Sequence, residues 1–194
     1  YNEIIKDPAQ TRVQVAFCFP DTYEIGMSNL GMRILCRAFN ELDHVWCERV
    51  YAPWVDMEKE MRDNGIKLYG LESGDPLDEF DVIGFTMQYE MSYTNVLYML
   101  ELAGIPLLAA DRGEDAPIII GGGPCAYNAE PVADFFDIFS IGEGEESLAE
   151  VVKTAASLKG KSQKAPYNQG DVDLTDKKAV VAADRKRFEF VNGI

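Results

Sequence analysis

The chain has 194 residues, 47% of them apolar and 11% aromatic, enough for one ordinary globular domain with an extension and too apolar for a disordered chain. Its formal net charge of −15 opposes binding to nucleic acid or anionic membrane, because phosphates are engaged chiefly through Lys and Arg. No apolar run reaches the roughly 18 residues of a membrane span, and no basic-then-apolar signal segment opens the sequence.

The first strong pattern is VQVAFCF, Val13–Phe19, rich in β-formers and apolar on both faces after Val15, as in a strand covered on both sides. Ser28 or Asn29 then caps a helix whose positions Leu30, Ile34, Leu35, Ala38, Phe39 and Leu42 recur at helical spacing and are expected to pack on the sheet. A second strand is predicted over residues 45–54. Asp56 caps a short helix ending at Asn64-Gly65. Residues 66–72 give a minor strand, and residues 81–87 a buried one. The helix that follows, residues 92–103, stops at Gly104-Ile105-Pro106.

A fourth strand, residues 117–124, ends in three glycines, and a fifth spans residues 137–142. Pro131 opens a short helix between them. After them, residues 146–158 carry Leu148, Val151, Val152 and Ala155 on one helical face. Repeated strand–helix units of this length specify an α/β fold: a three-layer, Rossmann-like parallel sheet of about five strands with helices on both faces. Beyond residue 159 the composition turns polar, so residues 1–158 read as the domain and residues 159–194 as linker and tail. The opening residue is Tyr1 rather than Met, which reads as a piece of a longer protein.

In an open parallel sheet the strand C-termini share one edge, and the loops after them converge on the usual ligand site. Four such loops are Gly-rich or polar here. They supply the candidate ligand-binding residues: Asp21, Tyr23, Glu24, Gly26, Met27, Ser28 and Asn29 after the first strand; Thr86, Gln88, Tyr89 and Glu90; Gly121, Gly122, Gly123 and Pro124; Gly142, Glu143, Gly144 and Glu145. The glycine run lets a ligand or another backbone approach closely and permits positive φ. Taken singly, each loop is also explained as a tight turn or a helix cap. No Gly-Lys-Ser/Thr follows the glycines, and no Gly-x-Gly-x-x-Gly opens a helix. The carboxylates of GEGEE suit a helix N-terminus and oppose a phosphate ligand there.

The remaining reactive side chains point to no catalytic centre. Cys18, Cys36, Cys47 and Cys125 show no metal-ligand spacing; buried free thiols in a reducing, cytoplasmic setting are expected. His44, the one histidine, lies far in sequence from the four loops, so no Ser-His-Asp or Cys-His arrangement can be built with it. The basic run at residues 185–187 reads as a solvated surface segment.

Asp21-x-Tyr23-x-x-Gly26 resembles the Asp-x-His-x-x-Gly loop after the first strand of cobalamin-binding domains. Thr86-x-Gln88 stands in the place of their Ser-x-Leu, and Gly121-Gly122 in the place of their Gly-Gly. The segments FPDTYEIGMSNLG, ERVYAPWVDME, LESGDPLDEFDVIGFTMQYEMSYTNVLYMLELAGIPL, IIIGGGPCAYNAEPVADFFD and SIGEGEE together are similar to the N-terminal cobalamin-binding-like domain of an uncharacterised family of radical S-adenosylmethionine proteins. The resemblance implies an accessory cobalamin-binding domain, non-catalytic alone, followed by a radical domain whose Cys-x-x-x-Cys-x-x-Cys motif holds a four-iron four-sulfur cluster. That motif does not occur in this sequence, so cluster and S-adenosylmethionine belong to a downstream domain, the expected partner.

Tyr23 departs from the pattern. A neutral imidazole ligates transition metals well, whereas a phenol of pKa near 10 does so poorly at neutral pH. Cobalamin bound here would lack a protein histidine below cobalt. A second reading is therefore a cofactor-free interaction domain, with Tyr23, Met27, Tyr89 and Met91 filling the space of a corrin and the same edge packing on the radical domain. A flavodoxin-like flavin or nucleotide binder, lacking a phosphate-cradling loop, is the third.

Overall fold

The computed structural model describes residues 3–7, 10–113 and 116–159. Ten elements follow in chain order: β1 (Val13–Phe19), α1 (Tyr23–Gly26), α2 (Leu30–Asn40), β2 (Val45–Tyr51), α3 (Val55–Asn64), β3 (Val82–Thr86), α4 (Tyr93–Leu102), β4 (Ile118–Gly122), β5 (Ile138–Phe139) and α5 (Gly144–Lys159). The strands form one sheet in the order β2-β1-β3-β4-β5, every pairing parallel. This is the doubly wound order in which the chain reverses direction between β1 and β3. The α/β, Rossmann-like architecture is the one the strand–helix alternation specifies.

Because successive strand residues point to opposite faces, β1 feeds two cores. Ala16 and Cys18 join Ile83, Phe85 and Ile119 against Met61 of α3 and Met99 and Leu100 of α4. Val15 and Phe17 join Val82 and Ile120 against Met32 and Phe39 of α2 and Leu148 and Val152 of α5. Both faces of the sheet are thus closed by helices, which is why its strands read as nearly continuous apolar runs.

Several local expectations are corrected. The inward residues of α2 are Met32, Cys36 and Phe39, spaced by four and three; Leu30 and Ile34 lie on the flank and are exposed. The second strand ends at Tyr51, where Ala52 N–H turns to donate to Asp21 O at 2.9 Å. The cap of α3 is Trp54, without a side-chain hydrogen bond, while Asp56 sits in the first turn and accepts from Met57 N–H. Residues 66–72 form no strand; they make one antiparallel bridge, Tyr69 with Pro76, and lie along β2 through Leu71 N–H to Arg49 O at 2.9 Å. The fifth strand is reduced to two residues. The expected linker and tail, with the basic run at residues 185–187, lie outside the described residues.

The four cysteines are free and buried. His44 is exposed just before β2, at the opposite end of the sheet from the four loops. Among the described residues no helix is long and apolar enough to cross a membrane, and no cluster of His, Cys, Asp or Glu has the geometry to hold a metal ion.

Besides the buried Arg112–Asp137 ion pair, a carboxyl with no cationic partner among the described residues sits inside. Glu48 on β2 is fully buried; its Oε2 accepts Ser73 N–H at 2.7 Å, and its Oε1 has no partner. Gly70 is required beside it, since a Cβ there would come within 2.6 Å of Oε2. Burial pushes the Glu48 carboxyl up from its ordinary value, the hydrogen bonds from Ser73 oppose this, and Glu72 and Asp75 add to it. A carboxyl with a raised folded-state pKa favours folding when protonated, and that advantage is lost as pH rises through the folded value. Glu48→Gln, neutral at every pH, should therefore raise the urea midpoint at about pH 8 and give no gain at about pH 4. Leu100→Ala, in the fully buried face of α4, should cost about 2–5 kcal/mol in the same denaturation experiment.

Candidate functional site

The C-terminal ends of β3, β4 and β5 open into a cleft of about 190 Å³ on the α2/α5 side of the sheet. Its floor is Phe17, Ile120, Leu35 and Leu148. Gly84 on β3 and Gly122 on β4 both line the cleft; at Gly84 the Phe17 ring packs 3.2 Å from where a Cβ would stand, while at Gly122 the missing side chain leaves open room. Thr86, two residues beyond Gly84, shares the face and lines the cleft with Gln88, Gly123, Ser140 and the turn from Gly142 to Glu145.

Three of the four expected loops therefore meet at one cavity. Within the second loop the polar groups satisfy one another: Gln88 Nε2 donates to Thr86 Oγ1 at 2.6 Å. Tyr89 and Glu90 lie further along and are exposed, and Pro124 is exposed beyond the glycines. Ser140 Oγ and Ser147 Oγ share a hydrogen bond at 2.8 Å, and Ser147 also donates to Glu143 O at 3.2 Å. Gly144 lets α5 approach α2, since a Cβ there would touch Leu148 and Leu35 at 3.2 and 3.4 Å.

The three consecutive glycines have three different reasons. At Gly121 a Cβ would meet the Phe139 ring at 2.8 Å, so this glycine makes room for the other core. Gly123 adopts φ 87° and ψ −176°, backbone that is nearly glycine-only, and a Cβ would lie 2.9 Å from Met87 O. At Gly122 the nearest atoms would be 3.9 Å away. Only Gly122 is free of a packing or backbone requirement.

The first loop does not line this cleft. Asp21 Oδ1 accepts Thr22 N–H at 2.8 Å, and Asp21 Oδ2 accepts the Tyr89 hydroxyl at 2.5 Å, tying the loops after β1 and β3 together. Asn95 Nδ2 adds a bond to Pro20 O at 2.9 Å. Tyr23 packs edge-on against Tyr51, ring centroids 5.2 Å apart. Gly26 is buried where a Cβ would come within 2.6 Å of that same ring. Ser28 donates to Ile25 O, and Asn29 Oδ1 caps α2 by accepting Met32 N–H at 2.8 Å. Glu24 and Met27 are exposed. The polar groups of this turn are engaged with its own backbone and with neighbouring segments, and what reaches the cleft from this side is Gly31 and Leu35 of α2.

Comparison with known proteins fixes the family. The model of the family described as radical SAM proteins, N-terminal, matches residues 31–169, more than half of the chain. The chain belongs to this family. The match begins at Gly31, so it takes in the loops after β3, β4 and β5 and leaves out the turn at residues 21–29. An uncharacterized protein of Methanocaldococcus jannaschii is 27% identical over 151 residues, 75% of this chain and 28% of that protein; the chain thus spans little more than a quarter of this curated relative. No solved structure gives a significant match.

Phe17, Leu35, Gly84, Ile120, Ser140 and Leu148 line the cleft and were not among the sequence candidates. A signal for Gly84 was present, two residues before Thr86 in an otherwise apolar strand, where a glycine leaves a gap on one face only. The contrast among the glycines can be measured. Gly123→Ala should cost about 1–3 kcal/mol because of its backbone conformation. Gly122→Val should change stability by less than about 1 kcal/mol, the span of β-propensity, while its methyls enter the cleft; equal losses in urea denaturation would contradict the assignment.

Proposed function

We propose that this domain serves a radical S-adenosylmethionine protein as an accessory ligand-binding domain, and that its ligand is cobalamin held at the C-terminal rim. The observation that carries the reading is the convergence of three segments far apart in sequence on one cleft, opened at Gly122 and edged by a hydroxyl and an amide. Two of the segments, Thr86-x-Gln88 and Gly121-Gly122, are those that resemble the cobalamin-binding pattern.

The residues fit part of that cofactor. At about 190 Å³ the cleft is below the roughly 300–1,000 Å³ of pockets that enclose a drug-sized ligand, so it receives an arm and leaves a macrocycle outside. Gly122 admits the arm, and Phe17, held over Gly84, together with Ile120 and Leu148 contacts its apolar surface. Thr86 and Gln88 can exchange their mutual hydrogen bond for bonds to an amide or hydroxyl. Glu143 and Glu145 at the mouth suit the amide-bearing periphery of a corrin and repel free anions.

Tyr23 provides no metal ligand in this reading, because its ring is engaged with Tyr51 and its phenol is a poor donor at neutral pH. Bound cobalamin would supply an alkyl-carrying cobalt centre, and this chain's part is to hold it and shield one side from water. The reactive cluster and S-adenosylmethionine belong to the radical domain.

Titration of the 194-residue chain with hydroxocobalamin, followed by absorbance, tests this. A saturable spectral change is expected, and Gly122→Val should weaken it at least about tenfold, a loss of about 1.4 kcal/mol, with the urea midpoint unchanged. An unaltered spectrum at high micromolar cofactor would remove cobalamin and leave the fold and family untouched.

A further inference from the structure

The C-terminal rim has two halves of different character. The cleft occupies the half made by β3, β4 and β5. The other half, made by the turns after β2, β1 and β3, projects apolar side chains into solvent: Trp54 is 64% exposed, Leu30 66% and Met91 82%, with Ile25, Met27 and Val55 beside them in the same turns. These turns touch one another. Ala52 N–H donates to Asp21 O at 2.9 Å, the Tyr23 and Tyr51 rings are in contact, and the Tyr89 hydroxyl reaches Asp21. Scattered exposed apolar residues need no explanation, but a joined group on one end of a domain marks a contact surface.

Charge narrows the occupant. Residues 20–31, 52–58 and 87–94 contain no Lys or Arg and include Asp21, Glu24, Asp56, Glu58 and Glu90. An apolar centre with an acidic margin repels a second copy of itself and an anionic lipid surface, and fits a surface whose apolar centre is ringed by Lys and Arg. Most of the Methanocaldococcus relative, all but 28% of its length, lies outside the matched stretch, and the family is by description the N-terminal part of radical SAM proteins. A domain tethered to this one meets it at an effective concentration in the millimolar range, so it covers such a surface ahead of any free partner.

We propose that the apolar half-rim formed by the turns after β1, β2 and β3 is the docking surface for the radical domain of the same polypeptide, separate from the ligand cleft. The partner surface carries apolar side chains at its centre and basic residues at its edge. Docking there leaves the β3–β5 half-rim and its cleft at the border of the interface, facing the partner.

Hydroxyl-radical footprinting read by mass spectrometry tests the proposal, since Trp and Met are strongly reactive. The 194-residue chain is compared with a polypeptide that also contains the radical SAM domain, each without cobalamin. Trp54, Met27 and Met91 should be oxidised at least about fivefold more slowly in the longer polypeptide, as burial in a water-excluding interface core demands, while Ile66 and Leu108, at the other end of the sheet, should be unchanged. Leu30→Glu should restore oxidation of Trp54 in the longer polypeptide and leave the melting of the chain alone unaltered. Equal oxidation in both proteins overturns the proposal. Protection that appears only on adding hydroxocobalamin makes the cofactor the occupant, and protection of the chain alone that grows with its concentration makes it a second copy; either result overturns it too. Docking without cobalamin binding, or the reverse, separates this proposal from the preceding one.

Discussion

The rim is organised by one constraint: β1 is hydrogen-bonded on both edges, to β2 through seven residue pairs and to β3 through four. The chain leaves β1 through α2 toward β2, then passes back across the sheet to lay β3 on the other side. Right-handed crossovers in opposite directions place α2 and α5 on one face and α3 and α4 on the other. The turns after β1 and β3 leave the reversal point toward opposite faces. What either half of the rim can do follows from where those turns go.

On the β3–β5 side the chain withholds side chains. Gly122 leaves the α2/α5 face thin near the strand ends, and the short β5 lets residues 140–145 turn back over the opening. On the β2–β1–β3 side the chain does the opposite and extends apolar side chains past the strand ends. The same sheet edge thus combines a recess with a raised apolar surface, and acidic residues are spread over both. Family membership gives this division a setting, because the family is by description the N-terminal part of radical SAM proteins.

Much of the fold was legible because its signals are local and periodic. The run at Val13–Phe19 is apolar on both faces because both are covered, and Gly104 ends the helix at residues 93–102 with a positive φ. A cap at Ser28 or Asn29 announced α2, and Asn29 fills it, but the sequence did not say which side of the helix faces inward: Leu30 and Ile34 share the helical spacing of the buried positions, and only the sheet beneath decides that Met32 and Cys36 turn in. Residues 66–72 have strand-like composition, yet Gly70 must pass close to Glu48 and Leu71 is held by β2, so no ladder forms. At the site, the glycine run and Thr86-x-Gln88 were visible as strand endings. Phe17, Leu35 and Leu148 were not, since nothing marks an apolar residue as lining a cleft until the elements are packed. The turn at residues 21–29 attracted attention by composition, whereas its polar groups are spent on a helix cap, on neighbouring backbone and on one bond to the next loop.

That bond crosses the rim between two turns. The Tyr89 phenol donates to the Asp21 carboxylate, and this hydrogen bond, with burial adding to it, holds the phenol above its ordinary pKa, so it remains a donor throughout the physiological range. The strap spans the place where the winding reverses, the natural seam of a doubly wound sheet. The loop carrying Tyr89 belongs to both the apolar surface and the recess, and this one solvent-facing hydrogen bond fastens it to the turn after β1.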